Sequence, residues 1–173
     1  MEEPGFVLET ARLRLRRFTL DDVDDMYRIN CDPEVVRYTH DGGTLTREEV
    51  ERRIREDVLG DYRKHGYGRW AVIHKPDGKV IGFAGLKYLD ELKETDLGYR
   101  FARAYWGMGI ATEAAQAVVD FGFRQLDMGR IIGLTLPENR ASIRVLEKVG
   151  MKFEKTITID GIQAAYYAMN APR

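Results

Sequence analysis

Two glycines separated by a single residue, Gly107 and Gly109, stand between a strand-like run from Asp96 to Phe101 and a long amphipathic stretch. The apolar positions Ile110, Ala114, Val118 and Phe121 of that stretch recur at helical spacing. A second strand-like run, Arg130 to Leu136, follows. A helix crossover is what allows neighbouring strands to run parallel, so these two runs are expected side by side and parallel. The glycines let the backbone turn tightly and bare its N–H groups. They do so where a helix's first amides lack partners and its dipole is positive, which makes an anion cradle. A bare Gly-x-Gly is equally a turn and a helix start, so the rest of the chain must decide.

Upstream, Leu13, Leu15 and Phe18 alternate with arginines as a half-buried strand, and Thr19 with Asp22 caps a short helix through Met26 and Ile29. The segment around Asp32-Pro33 and Asp41-Gly42-Gly43 reads as loop. Thr46 and Glu49 form a capping box for a charged helix with Val50, Ile54 and Val58 on its apolar side. Trp70–Ile73 and Val80–Leu86 flank Pro76-Asp77-Gly78, a hairpin signature. A third strand of this region runs from about Thr95 to Ala102. Asn139 opens a helix with Ile143, Leu146 and Val149 inside and Gly150 at its end, and two last strands straddle Asp160-Gly161. The expected class is α+β: a mixed, mostly antiparallel sheet of six to seven strands with about four helices, one domain over residues 1–173.

Composition removes other classes. Lys+Arg 27 against Asp+Glu 28 gives no field toward nucleic acid or anionic membrane. No apolar run approaches a membrane span, and Met1-Glu2-Glu3-Pro4 lacks the layout of a secretory signal. One cysteine, Cys31, and three scattered histidines leave no disulfide and no zinc set; Cys31 is expected as a packed thiol. A cytoplasmic, metal-free domain is the expectation.

A second segment gives the glycines their meaning: Asn139-Arg140-Ala141-Ser142, continuing to Val149-Gly150-Met151. Together with Gly109-Ile110-Ala111 it resembles the GNAT superfamily of acetyl-CoA-dependent N-acetyltransferases. Leu97-Gly98-Tyr99-Arg100, Tyr105-Trp106-Gly107, Ala111-Thr112-Glu113-Ala114 and Pro137-Glu138-Asn139 are similar to the branch of ribosomal-protein N-terminal acetyltransferases (RimJ/RimL-like). The opening Leu8-Glu9-Thr10-Ala11-Arg12-Leu13 also fits, so the likeness covers nearly the whole chain.

The resemblance implies a GNAT fold and acetyl-CoA as donor, with no metal. It implies a pyrophosphate loop at Trp106, Gly107, Met108, Gly109, Ile110, Ala111 and Thr112, held by backbone amides because Trp106 and Met108 bring no charge. It implies that Phe101 and its neighbours offer strand backbone to the pantetheine arm; Phe101 is equally a core aromatic. Asn139 is a helix N-cap and, by resemblance, a pantetheine contact; Ser142 lies one turn on. Where many relatives carry a tyrosine that protonates the thiolate, this chain has Leu146. Ser142 is the substitute, best suited to a hydrogen bond to sulfur while water supplies the proton; otherwise it is a first-turn serine.

Direct attack on the thioester needs a neutral amine, an oriented carbonyl and a stabilised oxyanion, for which an amide near Phe101 or Arg100 is implied. A protein α-amine, with a pKa of about 7.7–8.0, is roughly 10–15% neutral at pH 7, while a lysine amine is under about 0.1% neutral. An α-amine therefore needs only a modest base. Asp96 is the first candidate, then Glu94 and Glu91; Asp96 is otherwise an exposed acid at a strand edge. Tyr99 is placed in the same groove or in the packing. Tyr38, His40 and Tyr166 are candidate acceptor contacts, with His40 better read as a solvated loop histidine.

The favoured acceptor is a protein N-terminal α-amine. The alternatives are a small-molecule amine (polyamine, aminoglycoside or amino-acid-like toxin) and a non-catalytic acyl-CoA sensor. Nucleic acid and membrane are not expected partners, and a homodimer is compatible.

Overall fold

The computed structural model describes residues 5–39 and 43–172. Within them eight strands form one sheet in the order β1-β2-β3-β4-β5-β6-β8-β7. Strands β1 (Phe6–Glu9), β2 (Leu13–Arg16), β3 (Arg69–His74), β4 (Lys79–Leu89) and β5 (Glu94–Phe101) make one antiparallel half. Strands β6 (Arg130–Thr135), β7 (Lys152–Ile159) and β8 (Ile162–Asn170) make the other. The halves meet through β5 and β6, which run parallel as the intervening helix requires. The strand beyond the expected count is β1. It is only four residues long and half exposed, so it carries little alternation to read, and it closes as a hairpin on β2.

Period-2 patterning separates the two faces of the sheet. Trp70, Val72, Ala84 and Leu86 pack with helix α4 (Ile110–Arg124) and helix α5 (Arg140–Lys148). Ala71 and Phe83 face the other way, toward helix α1 (Val23–Asn30) and helix α2 (Arg47–Arg52). Helix α4 buries Ile110, Ala114, Ala115, Val118, Val119 and Gly122. Its small residues let it lie close: a Cβ on Gly122 would stand 2.8 Å from Ile131. Each fully buried aliphatic such as Leu13, Leu86 or Ile131 contributes about 1.5–3 kcal/mol relative to exposure.

The capping boxes form as expected. Thr19 and Asp22 cap the short turn into α1, and Thr46 and Glu49 exchange side-chain and backbone bonds at the start of α2. The charged helix is not uniform, however. A π-helical segment, Arg53–Val58, joins α2 to α3 (Leu59–His65), which ends at Gly66 with φ 77°. Tyr62 on α3 ties this layer to the sheet: its hydroxyl accepts from the Phe18 amide at 3.1 Å and donates to the Arg69 carbonyl at 2.5 Å.

Candidate functional site

The sheet splits where its halves meet. Strands β5 and β6 are in register at Asp96 and Ile132 and then diverge. At the first step beyond, the Leu134 amide donates to the Asp96 carboxylate at 3.0 Å instead of to a strand carbonyl. The phase of the β4–β5 ladder follows from the bond between the Ala102 amide and the Ile81 carbonyl, 2.8 Å. Antiparallel pairs alternate, so Arg100 spends its backbone groups on β4, while Tyr99 and Phe101 turn theirs toward the split. Of the two amides implied for the oxyanion, the ladder therefore leaves Phe101 and removes Arg100; it adds Tyr99.

One side of the split is the glycine turn. Gly107 and Gly109 have φ values of 75° and 77°, the left-handed region that glycine enters without strain. A Cβ on Gly107 would meet nothing within 4 Å, so the turn has an open face. The Glu113 amide, 3.0 Å from the Gly109 carbonyl, is the first rung of α4, and the amides of residues 107–112 precede it. Unpaired amides at an open turn before a helix are the arrangement that suits an anion. The Trp106 indole donates to the Phe101 carbonyl at 2.8 Å, so Trp106 pins the end of β5 to the turn. Met108 is exposed, and its carbonyl accepts from Arg12 at 2.9 Å. Ile110 is buried in the core, beneath Ala111 and Thr112 at the cleft.

The first turn of α5 forms the opposite wall. Asn139 caps it by accepting from the Ser142 amide at 3.2 Å. The Ser142 hydroxyl lies 2.9 Å from the Tyr99 hydroxyl, which also reaches the Ser142 carbonyl at 3.2 Å. Burial pushes the Tyr99 phenol up to about 12, so it remains a proton donor at neutral pH. Tyr99 is the residue that sequence reasoning left undecided between groove and packing. The period-2 rule puts it on the α5 face, but only the splay reveals that it meets Ser142. Leu146 is buried and offers no titratable group.

Asp96 lies on the other face. It is not the exposed edge acid of the alternative reading: it is 6% exposed. Burial raises it to about 6, against the pull of Arg69, the Leu134 amide and Lys87. Glu94 pairs with Arg130 at 3.4 Å, and Glu91 stands in the β4–β5 turn. The Arg69 guanidinium, beside Asp96, and that of Arg100 lie 5.0 and 5.5 Å from the centre of the Phe83 ring. Arg100 also donates to Asn30 at 2.5 Å.

A single cleft of about 1120 Å³ runs through the split and is lined on both sides, by Asn30, Asp57, Arg69 and Asp96 and by Gly107, Thr112, Asn139 and Ser142. Tyr38 lines it; Tyr166 does not, being buried with Ile132 and Ala168. The last hairpin reaches the cleft through Asp160, Ile162 and Ala164 instead. His40 lies outside the described residues. Cys31 is exposed beyond the end of α1, not packed as expected, because the helix turns its apolar positions Met26 and Ile29 inward. Among the described residues no group of three or more His, Cys, Asp or Glu side chains is placed to hold a metal, and no helix is long and apolar enough to cross a membrane.

Comparison with known proteins agrees with this geometry. A Bacillus subtilis protein, YkkB, is 36% identical over 156 residues, covering 87% of each chain. The N-acetyltransferase p20 of Bacillus licheniformis is 34% identical over 149 residues, covering 85% of this chain and 83% of its own. A GNAT-family acetyltransferase from Bacillus anthracis has a crystal structure that superposes with a TM-score of 0.80 at 28% identity, over 95% of this chain and 98% of the other. At lower identity the fold recurs in RimL, a ribosomal alpha-N-protein acetyltransferase in complex with coenzyme A (TM-score 0.80, 17% identity, 96% and 98% coverage). It recurs again in the aminoglycoside acetyltransferase AAC(6')-Ib in complex with coenzyme A (TM-score 0.76, 19% identity, 91% and 94% coverage). The family model for the acetyltransferase (GNAT) domain matches residues 12–152, from the start of β2 to the start of β7, and the chain belongs to this family of acetyltransferases.

Proposed function

We propose that the protein transfers the acetyl group of acetyl-CoA to the α-amine of a protein N-terminus by direct attack within the split. The observation that carries this reading is the cleft through the sheet, with an anion cradle on one face and a buried carboxylate near neutrality on the other. When bound, acetyl-CoA supplies an activated thioester. The open glycine turn and the amides of residues 107–112 fit its pyrophosphate, and Asn139 with the free edge of β5 fits its pantetheine arm.

The Tyr99 and Phe101 amides are the donors available to an oxyanion forming beside β5. Asp96, titrating near 6, is matched to draw a proton from an amine of pKa about 8. On the far wall the Tyr99 hydroxyl can donate to the Ser142 carbonyl or hydroxyl, and either arrangement leaves the serine hydroxyl hydrogen for the departing sulfur. Ser142 thus hydrogen-bonds the departing sulfur while water supplies its proton, and Tyr99 holds the serine in place, which suits a chain with leucine at position 146.

A small-molecule amine is the second reading, favoured by the breadth of the cleft. A polyamine fits it less well, because Arg53, Arg69 and Lys87 stand among the acids of the acceptor side. The test is release of free thiol from acetyl-CoA against peptides with Ser, Ala or Thr N-termini, spermidine and an aminoglycoside. Acceleration by peptides supports the proposal. Acceleration by a small amine alone replaces it with the second reading, and binding of acetyl-CoA with no acceleration favours a sensor.

A further inference from the structure

Arg69 has hydrogen-bond donors that its surroundings do not use. Arg12, Arg16 and Arg103 each set their guanidinium against a carboxylate within hydrogen-bond distance. The Arg69 guanidinium lies over Gly98 and the Phe83 ring, where a Cβ on Gly98 would come within 2.7 Å of its Nη2. Its nearest carboxylate oxygen, on Asp96, is 3.7 Å away, too far for a hydrogen bond. Its Nε is buried and has no partner, and no described group accepts from its other nitrogens. The side chain nevertheless lines the cleft and is 31% exposed there. A planar fork held over an aromatic ring, with its donors unspent beside the split, is built to receive an oxygen ligand.

Gly98 makes this placement possible, since any side chain there would displace the guanidinium. The fork also sits next to the carboxylate proposed to receive the amine's proton. In an α-amino acid or a peptide N-terminus the carbonyl oxygen lies about 3 Å from the amine nitrogen, by standard bond lengths. An amine brought up to Asp96 therefore carries that oxygen to Arg69.

We infer that Arg69 is a specificity-determining residue that binds the carbonyl or carboxylate oxygen one carbon from the reacting amine, so that the acceptors are α-amino-carbonyl compounds. The inference rests on the proposed amine transfer. Peptide N-termini and free amino acids share the recognised chemistry; polyamines and lysine side chains lack it.

The test is thiol release from acetyl-CoA with a Ser-initiated peptide, free serine and ethanolamine, which keeps serine's skeleton without its carboxyl group. The readout is the ratio of kcat/KM for each serine compound to that for ethanolamine, in wild type, Arg69→Met and Arg69→Lys. Differences in the amines' own basicity, and any effect of Arg69 on Asp96, cancel when that ratio is compared between variants. Arg69→Met is expected to lower the ratio by about 10- to 100-fold, the range for losing a hydrogen bond to a charged group, with Arg69→Lys between. Should Arg69→Met fail to fold, as judged by thermal unfolding, Arg69→Lys carries the comparison. Preference for the peptide or for free serine each supports the inference and identifies its source. Ethanolamine used as well as serine compounds, or a ratio unchanged by the variants, overturns the assignment of Arg69 while leaving amine transfer intact. Thiol release that responds to no amine overturns the transfer reading, and this inference with it.

Discussion

Arg12 and Glu113 are 101 residues apart in sequence, and the Arg12 Nε meets the Glu113 carboxylate at 2.8 Å. The same carboxylate accepts from the Thr10 hydroxyl at 2.6 Å and the Arg12 amide at 3.1 Å, while Arg12 reaches on to the Met108 carbonyl. The β1–β2 turn is thus fastened to the first turn of α4 and to the glycine turn at once. Burial raises the Glu113 pKa, but the bonds from Thr10 and Arg12 outweigh it and hold the carboxyl below its ordinary value of 4.5.

Glu113→Ala is expected to destabilise the fold by about 1–3 kcal/mol and to raise KM for acetyl-CoA several-fold, since the turn loses its anchor. The pH dependence has a definite sign. A carboxylate with a depressed folded pKa contributes its stabilisation in full above 4.5, and that contribution is lost as pH falls through the folded value. Urea unfolding of wild type and variant at pH 7 and pH 3 checks this: the difference between the two proteins should shrink in acid.

Gly109→Asp puts a Cβ, 3.6 Å from the Arg12 Nη2, and a negative charge into the turn, at a φ of 77°. KM for acetyl-CoA is expected to rise at least about tenfold, because the charge opposes the helix dipole's preference for the phosphates. Gly109→Asn, which tolerates the same backbone region, separates charge from conformation and should be milder. Equal effects from the two would move the explanation to backbone strain.

Ser142→Ala and Tyr99→Phe remove the two ends of one 2.9 Å hydrogen bond. Both are expected to lower kcat more than they raise KM for acetyl-CoA. In the double variant the loss should be less than the product of the two single losses, as for groups acting as a unit. A full double-mutant cycle measures this, and independent, multiplicative losses would reduce Tyr99 to packing.

Asp96→Asn should trade activity for stability. The folded carboxyl titrates near 6 against an ordinary 3.8, so the native state binds the extra proton between those values, and stability falls as pH rises through that window. Above pH 6 the ionised group costs up to about 3 kcal/mol, which the amide relieves while still accepting from Leu134. Thermal unfolding at pH 7.5 should show a higher midpoint for the variant. Its kcat/KM should drop and lack the acid limb near pH 6 that is expected of wild type.

Where a local rule governs, the sequence was readable. The capping boxes at Thr19 and Thr46, the Pro76–Gly78 hairpin and the parallel pair across α4 all follow from spacing. The glycine turn and the Asn139 cap were legible for the same reason. Relationships set by the splay were not. That Asp96 is buried, that Tyr99 meets Ser142, and that Tyr99 and Phe101 rather than Arg100 face the split depend on where two strands part, which no periodicity encodes. Tyr166 was a candidate because the resemblance puts the final hairpin beside the groove, whereas its side chain packs with Ile132 and Ala168.

The π-helical turn at Arg53–Val58 carries a consequence for how such a chain diversifies. A π turn holds one residue more than an α turn, so deleting a single residue there would restore regular winding and rotate everything that follows by about 100°. Asp61, which lines the cleft from α3, would be re-aimed, and with it Tyr62, which ties α3 to the sheet. A length change in that one turn would thus reshape one wall of the cleft without altering the sequence of the glycine turn or of α5.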